Sequence, residues 1–176
     1  MRRKNLYVVE VDVYRVGLSL SESAVKKVKH SVSDGKFSTP LAETILSSQT
    51  PPKSRAEDAT VAAVTLDFVR AVSIKQMVSA FDDALLGCER TAIAEFSQGL
   101  YKVIHEGHGF KTGDKLRIYW QKSGGIILMC EGKISDVIYN KELSQRLLEV
   151  YVDDARSVSK DLIKCIRDNI HDIEVN

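Results

Sequence analysis

The sequence predicts an α+β fold built around one antiparallel sheet. Three observations carry that expectation. Apolar runs of β type come in meander-like groups. Stretches of helical spacing cluster between those groups, where an alternating α/β chain would interleave them with single strands. Ser123-Gly124-Gly125 separates two apolar runs as a hairpin turn does. With 176 residues the chain can bury a real core, and one domain spanning 1–176 is the natural organisation.

The elements follow in order. Residues 6–20 read as strand, with Val9, Val11 and Val13 on one parity and Val16, Leu18 and Leu20 on the other. A parity switch implies a bulge or bend near Tyr14 and Arg15, or burial on both faces. Ser21 caps a helix through Val28, with Lys26, Lys27 and Lys29 on its wet side. Residues 31–58 hold Ser, Thr, Gly35, Pro40, Pro51 and Pro52 and read as a mobile connector, interrupted by a short helix at 41–46. Residues 60–70 alternate, with Val64, Leu66 and Phe68 on one side.

Ser73 then caps an amphipathic helix carrying Ile74, Met77, Val78, Phe81, Ala84 and Leu85, and Gly87 ends it. A second helix spans 89–104, with Ile93, Phe96, Leu100 and Val103 inward. Strands at 115–122 and 126–131 flank the Gly-Gly turn, and 133–139 supplies a third. Asn140 caps a helix carrying Leu143, Leu147, Leu148 and Tyr151. Ser157 or Ser159 starts the last one, with Leu162, Ile163, Ile166 and Ile170 inward.

Composition narrows the function. Hydrophobic residues are 44% and charged residues 28%, ordinary for a globular chain. The 25 Lys and Arg nearly balance 24 Asp and Glu, so nothing electrostatic calls for nucleic acid or an anionic membrane. Cys88, Cys130 and Cys165 are scattered and lack CxxC spacing, which reads as reduced thiols in an intracellular compartment. No apolar run approaches the ~20 residues needed to span a bilayer. No signal-peptide core is present either. The chain starts almost on a strand, which reads as a truncated or mis-started beginning. The compartment is then the cytoplasm, or a plastid or mitochondrion if a leader is missing.

Most candidate motifs reduce to structure. His105, Glu106 and His108 lack the four-residue spacing of a zinc helix, and Gly107 and Gly109 break any helix there, so no metal is expected. No GxSxG occurs, and Cys88 has no fixed base beside it. Gly124-Gly125 joins two strands and opens no helix, so it is no phosphate loop and no cofactor is implied. The Met77, Phe81 and Leu85 stripe reads as core.

Arg2 and Tyr14 stand apart. A guanidinium beside a phenol can dock an oxyanion. Along one straight strand, twelve residues would separate them by roughly 40 Å. They meet only if the chain folds back near Val8, where no turn residue stands. The residues alone therefore leave two readings: a solvated N-terminal Arg with an edge-strand Tyr, or a docking pair.

The chain from Arg2 to about Lys164 resembles the chalcone isomerase-like family. RRKNLYVVEVDVYRVGLSL is similar to its opening strand pair, and FVRAVSIKQMVSAFDDALLG to its first large helix. GFKTGDKLRIYW with GGIILMCEGK looks like its later hairpin, and NKELSQRLLEVYVDDARSVSKDL like its closing helices. The resemblance implies an open-faced β-sandwich: a large antiparallel sheet, helices layered on one face, and a cleft between. It places Arg2 where the family's cleft arginine stands and Tyr14 where its cleft hydroxyl stands, with the fold-back supplied by the family hairpin.

Two activities live on that fold: ring closure of a chalcone by an intramolecular lyase, and fatty-acid binding without chemistry. This chain carries Tyr14 where the enzyme type has Thr, Val72-Ser73-Ile74-Lys75-Gln76 where it has a Tyr, and Ala80-Phe81-Asp82 where it has a Glu-Asn pair. The reading that follows is a non-catalytic protein binding a fatty acid or similar amphipathic carboxylate. Arg2 and Tyr14 would hold the head group, with Val64, Leu66, Phe68, Met77 and Phe81 along the tail. The rival is the lyase acting on a flavonoid-like ligand, with Arg2 guiding the oxyanion and Tyr14 or Ser144 as carbonyl partner.

Overall fold

The computed structural model describes residues 4–10, 13–33, 36–49, 60–104, 109–153, 157–158 and 160–172. In chain order the elements are β1 (Lys4–Glu10), β2 (Tyr14–Leu20), α1 (Glu22–Ser31), β3 (Val32–Ser33), β4 (Lys36–Phe37), α2 (Leu41–Leu46) and β5 (Thr60–Phe68). Then come α3 (Ile74–Ala84), α4 (Arg90–Val103), β6 (Lys115–Gln121), β7 (Ile126–Cys130), β8 (Lys133–Ile134), α5 (Lys141–Val152), α6 (Lys160–Asn169) and a 3-10 turn (Ile170–Asp172). Strands β1-β2-β5-β6-β7-β8 form one sheet in that order, antiparallel at every described pairing. β3 and β4 make a separate ribbon.

The two-residue period of a strand decides which face is buried. Tyr14, Val16, Leu18 and Leu20 lie opposite Phe68, Leu66, Val64 and Ala62. The same face continues through Leu116, Ile118 and Trp120 on β6 and Cys130, Leu128 and Ile126 on β7. All of these are buried except Tyr14, which is half-buried at the ladder's end. The opposite face carries Arg15, Thr65, Asp67, Lys115 and Arg117, none of them buried, with Asp67 and Lys115 paired at 3.6 Å. That face is open and the other holds the core, as expected of the open-faced α+β arrangement.

The helices pack on the buried face through their apolar stripes. Met77 and Phe81 of α3, and Phe96, Leu100 and Val103 of α4, are buried. Leu143, Leu147, Leu148 and Tyr151 of α5 and Leu162, Ile163 and Ile166 of α6 are buried as well. Phe81 meets Phe96 edge-on at 4.9 Å, tying α3 to α4. Trp120 donates its indole N–H to the Ser144 carbonyl at 2.9 Å, fastening α5 to β6. Ser21, Ser73 and Asn140 cap their helices by side-chain hydrogen bonds, and Ser73 with Gln76 completes a capping box.

Three expectations change. The run at 6–20 forms the strand pair that the resemblance implied, with the fold-back between Glu10 and its partner Arg15 and not near Val8. The 31–58 connector carries the short helix expected at 41–46, α2, which buries Leu41, Ala42 and Ile45, and in addition a two-stranded ribbon before it that was not expected. The last strand of the late group is short. Beyond Ile134 the Ser135 hydroxyl accepts from the Leu128 amide at 2.9 Å, replacing a ladder carbonyl, and pairing resumes only as a bridge of Ile126 with Ile138.

Gly109 holds the approach to α3. Its φ of +69° is left-handed, and a Cβ there would fall inside contact distance of the Val72 carbonyl and 2.8 Å from the Ile74 nitrogen. Next to it, Val72 and Phe110 exchange backbone hydrogen bonds of 2.9 and 2.8 Å. Gly113 also has positive φ, +92°, but a Cβ there meets nothing within 4 Å. Gly109→Ala is expected to lower unfolding free energy by about 3 kcal/mol or more, and Gly113→Ala by about 1–2 kcal/mol from conformation alone. Urea denaturation of the two variants checks the difference.

Candidate functional site

A cleft of about 570 Å³ opens where the start of β2 meets the segment leading into α3. Val13, Ala71, Val72, Met77 and Ala80 give it apolar walls, and Tyr14, Arg70 and Gln76 its polar groups. None of these lining residues is acidic. The size lies within the range of small-molecule sites.

Each polar group is placed by local structure. Tyr14 is the first residue of β2, and its ring stands edge-on to Phe68, its partner across the ladder, at 5.8 Å. Phe68 in turn stacks on Phe110 at 4.2 Å. Arg70 is exposed just past β5, where the chain bends before the Val72–Phe110 bridge. Gln76 sits in the first turn of α3, and its side-chain oxygen accepts from the Ser73 amide at 3.0 Å and the Ser73 hydroxyl at 2.8 Å. That leaves its amide nitrogen as a donor. The cleft thus offers a guanidinium, a phenol and an amide N–H over an apolar floor, a set suited to an anionic head group on a greasy ligand.

Burial raises the Tyr14 phenol above its ordinary value. The Tyr151 phenol is held well above its own, first by complete burial and then by Tyr14 nearby. Both stay protonated at neutral pH, so Tyr14 would meet an anion as a donor and not as a competing charge.

The residues expected from sequence are only partly brought together. Tyr14 and Met77 share the cleft. Phe68 backs the Tyr14 ring, and Phe81 packs on Phe96. Val64 and Leu66 have no exposed surface and belong to the packed core, so the walls come from Val13, Ala71, Val72 and Ala80 in their place. Arg2 lies outside the described residues, as do His105, Glu106 and His108. Lys4, the first described residue, pairs with Leu20, at the opposite end of β2 from Tyr14.

Ser144 is buried with its hydroxyl unpartnered, while its backbone carbonyl accepts from the Trp120 indole. Ser144 is not among the residues lining the cleft. Three residues near Tyr14 escaped the sequence reading: Arg70, Gln76 and Tyr151. The Ser73–Gln76 capping spacing was the available signal for Gln76, and the position of Tyr151 two turns past Ser144 on α5 was the signal for that hydroxyl.

The three cysteines are free thiols. Among the described residues no group of His, Cys, Asp and Glu could hold a metal ion, and no helix is long and apolar enough to cross a membrane.

No family model matches the sequence, and neither does any curated protein. The architecture does have a counterpart. The chain has the chalcone isomerase-like fold. A solved structure that shares it is a fatty-acid binding protein of Arabidopsis thaliana, AtFAP1, with a TM-score of 0.66 over 96% of this chain and 88% of that one, at 14% identity.

The raised groups set a pH dependence. Tyr14, Tyr151 and the buried Cys130 thiol, pushed up to about 11 by burial and then by Asp114 and Glu131, all favour the neutral form when folded. Their contribution is complete below their ordinary values and is lost as pH rises through the shifted ones. The thermal midpoint is expected to stay level with respect to these groups below pH 9, the ordinary thiol value, and to fall above it. Tyr14→Phe should flatten part of the fall above pH 10, which a series of melting curves checks.

Proposed function

We propose that this protein binds a fatty acid or similar amphipathic carboxylate in the cleft at Tyr14, without chemistry. One observation carries the reading: three hydrogen-bond donors and no acidic residue line an apolar-walled cleft at the junction of sheet and helices. The likeness in fold to a fatty-acid binding protein supports it. The carboxylate takes charge-assisted bonds from Arg70 and a hydrogen bond from the Tyr14 hydroxyl. The tail lies along Val72, Met77 and Ala80. Ring closure would need a carbonyl partner besides Tyr14, and Ser144 is not among the residues lining the cleft.

The resemblance in sequence makes Arg2 the head-group cation, and the described cleft makes it Arg70. Arg70 lines the same cleft as Tyr14, which favours it. Mass spectrometry of the purified protein is expected to detect a co-purified fatty acid. Titration with a fatty carboxylate should show affinity falling about tenfold or more in Arg70→Ala, the scale of a charged hydrogen bond, and about two- to tenfold in Tyr14→Phe. Loss in Arg2→Ala with Arg70→Ala unaffected would move the cation to Arg2 and keep the reading. A protein that carries no lipid and takes up no carboxylate would end it, and so would closure of a chalcone ring above background.

A further inference from the structure

We infer that the cleft selects carboxylates of short to medium chain, because it ends against packed side chains and does not continue between sheet and helices. The inference rests on the carboxylate reading above and narrows it.

The polar groups sit at one end. Arg70 precedes α3 and Gln76 lies in its first turn, while Met77 and Ala80 follow along the helix. A tail leaving the head group therefore runs along α3 toward Ala80. From Gln76 to Ala80 is one helical turn, about 6 Å of axis, which covers only the first methylenes.

The inward route is filled. Across the ladder from Tyr14 stands Phe68, edge-on to Tyr14 and face-on to Phe110 at 4.2 Å. Deeper along the same face, Val16, Val64 and Leu66 have 0% exposure. A side chain with no accessible surface borders no void large enough for a water molecule, so no room for a methylene chain remains beside it. A long tail would have to break the Phe68–Phe110 stack or leave the cleft for solvent.

Affinity should then climb with chain length and stop. Each methylene buried in the cleft adds about fourfold, and those beyond it add little. The test is calorimetric titration of the full chain, freed of co-purified lipid, with hexanoate, octanoate, decanoate, laurate and palmitate, each below its micelle threshold. Expected is a rise of about fourfold per methylene to octanoate and less than twofold per methylene beyond decanoate.

Ala80 is exposed on α3, so Ala80→Leu keeps the fold while filling the far end of the cleft, and should move the plateau to a shorter acid. A fourfold gain per methylene sustained through palmitate overturns the inference and leaves the carboxylate reading standing. The same holds if Ala80→Leu leaves the series unchanged. Binding of none of the acids overturns both.

Discussion

Tyr14 pairs with Phe68 at the last described rung of the ladder between β2 and β5, and the cleft depends on that register. Because the rung is terminal, Tyr14 has a buried ring edge against Phe68 and a side open to the cleft. A slip of one residue would put Arg15 in its place and turn Tyr14 to the charged face. The register is held from both flanks. Val69 donates to the Val13 carbonyl at 3.0 Å, and Gly113 donates to the Phe68 carbonyl at 2.7 Å. Phe110 continues the same brace, stacking on Phe68 while its backbone clasps Val72. One chain of contacts thus links strand pairing, the aromatic stack and the segment that carries Arg70.

Local signals in the sequence were read well because their physics is local. Ser21, Ser73 and Asn140 are caps a few atoms from the groups they satisfy, and the apolar stripes of α3, α5 and α6 follow from helical spacing alone. The fold-back after Glu10 was legible only as a parity switch near Tyr14 and through the family resemblance, since no Gly, Pro or Asn marks it and its register comes from pairing with β5. The ribbon in the connector did have a mark, the Asp34-Gly35 pair, a strong hairpin signal that the surrounding Ser and Thr obscured.

The site was legible in half. Tyr14 and Met77 were named through the family resemblance, since the residues alone read Tyr14 as strand and Met77 as core, and both line the cleft. Val64 and Leu66 fall on the correct face, but alternation cannot distinguish a side chain lining a hollow from one packed solid. Arg70 was hidden for another reason. It follows the strand's alternation, and its place on the cleft comes from the Val72–Phe110 bridge, a contact across thirty-eight positions of sequence.

The groups around the cleft differ in how much order binding must add. Gln76 is already fixed by its cap, Tyr14 by its ring contact and Val72 by its bridge, so each meets a ligand without losing freedom at that moment. Arg70 is exposed, and ordering its long side chain costs about 1.5–2 kcal/mol of rotamer freedom. That cost offsets much of a single charged hydrogen bond. Under the proposed reading, the cation would therefore contribute net affinity only when its fork engages both carboxylate oxygens. A ligand with a planar, bidentate head group gains that second bond for the same ordering cost, whereas an alcohol of the same tail length does not. Under the proposed carboxylate binding, head-group discrimination would then reside in the exposed Arg70, and tail placement in the groups the fold holds still.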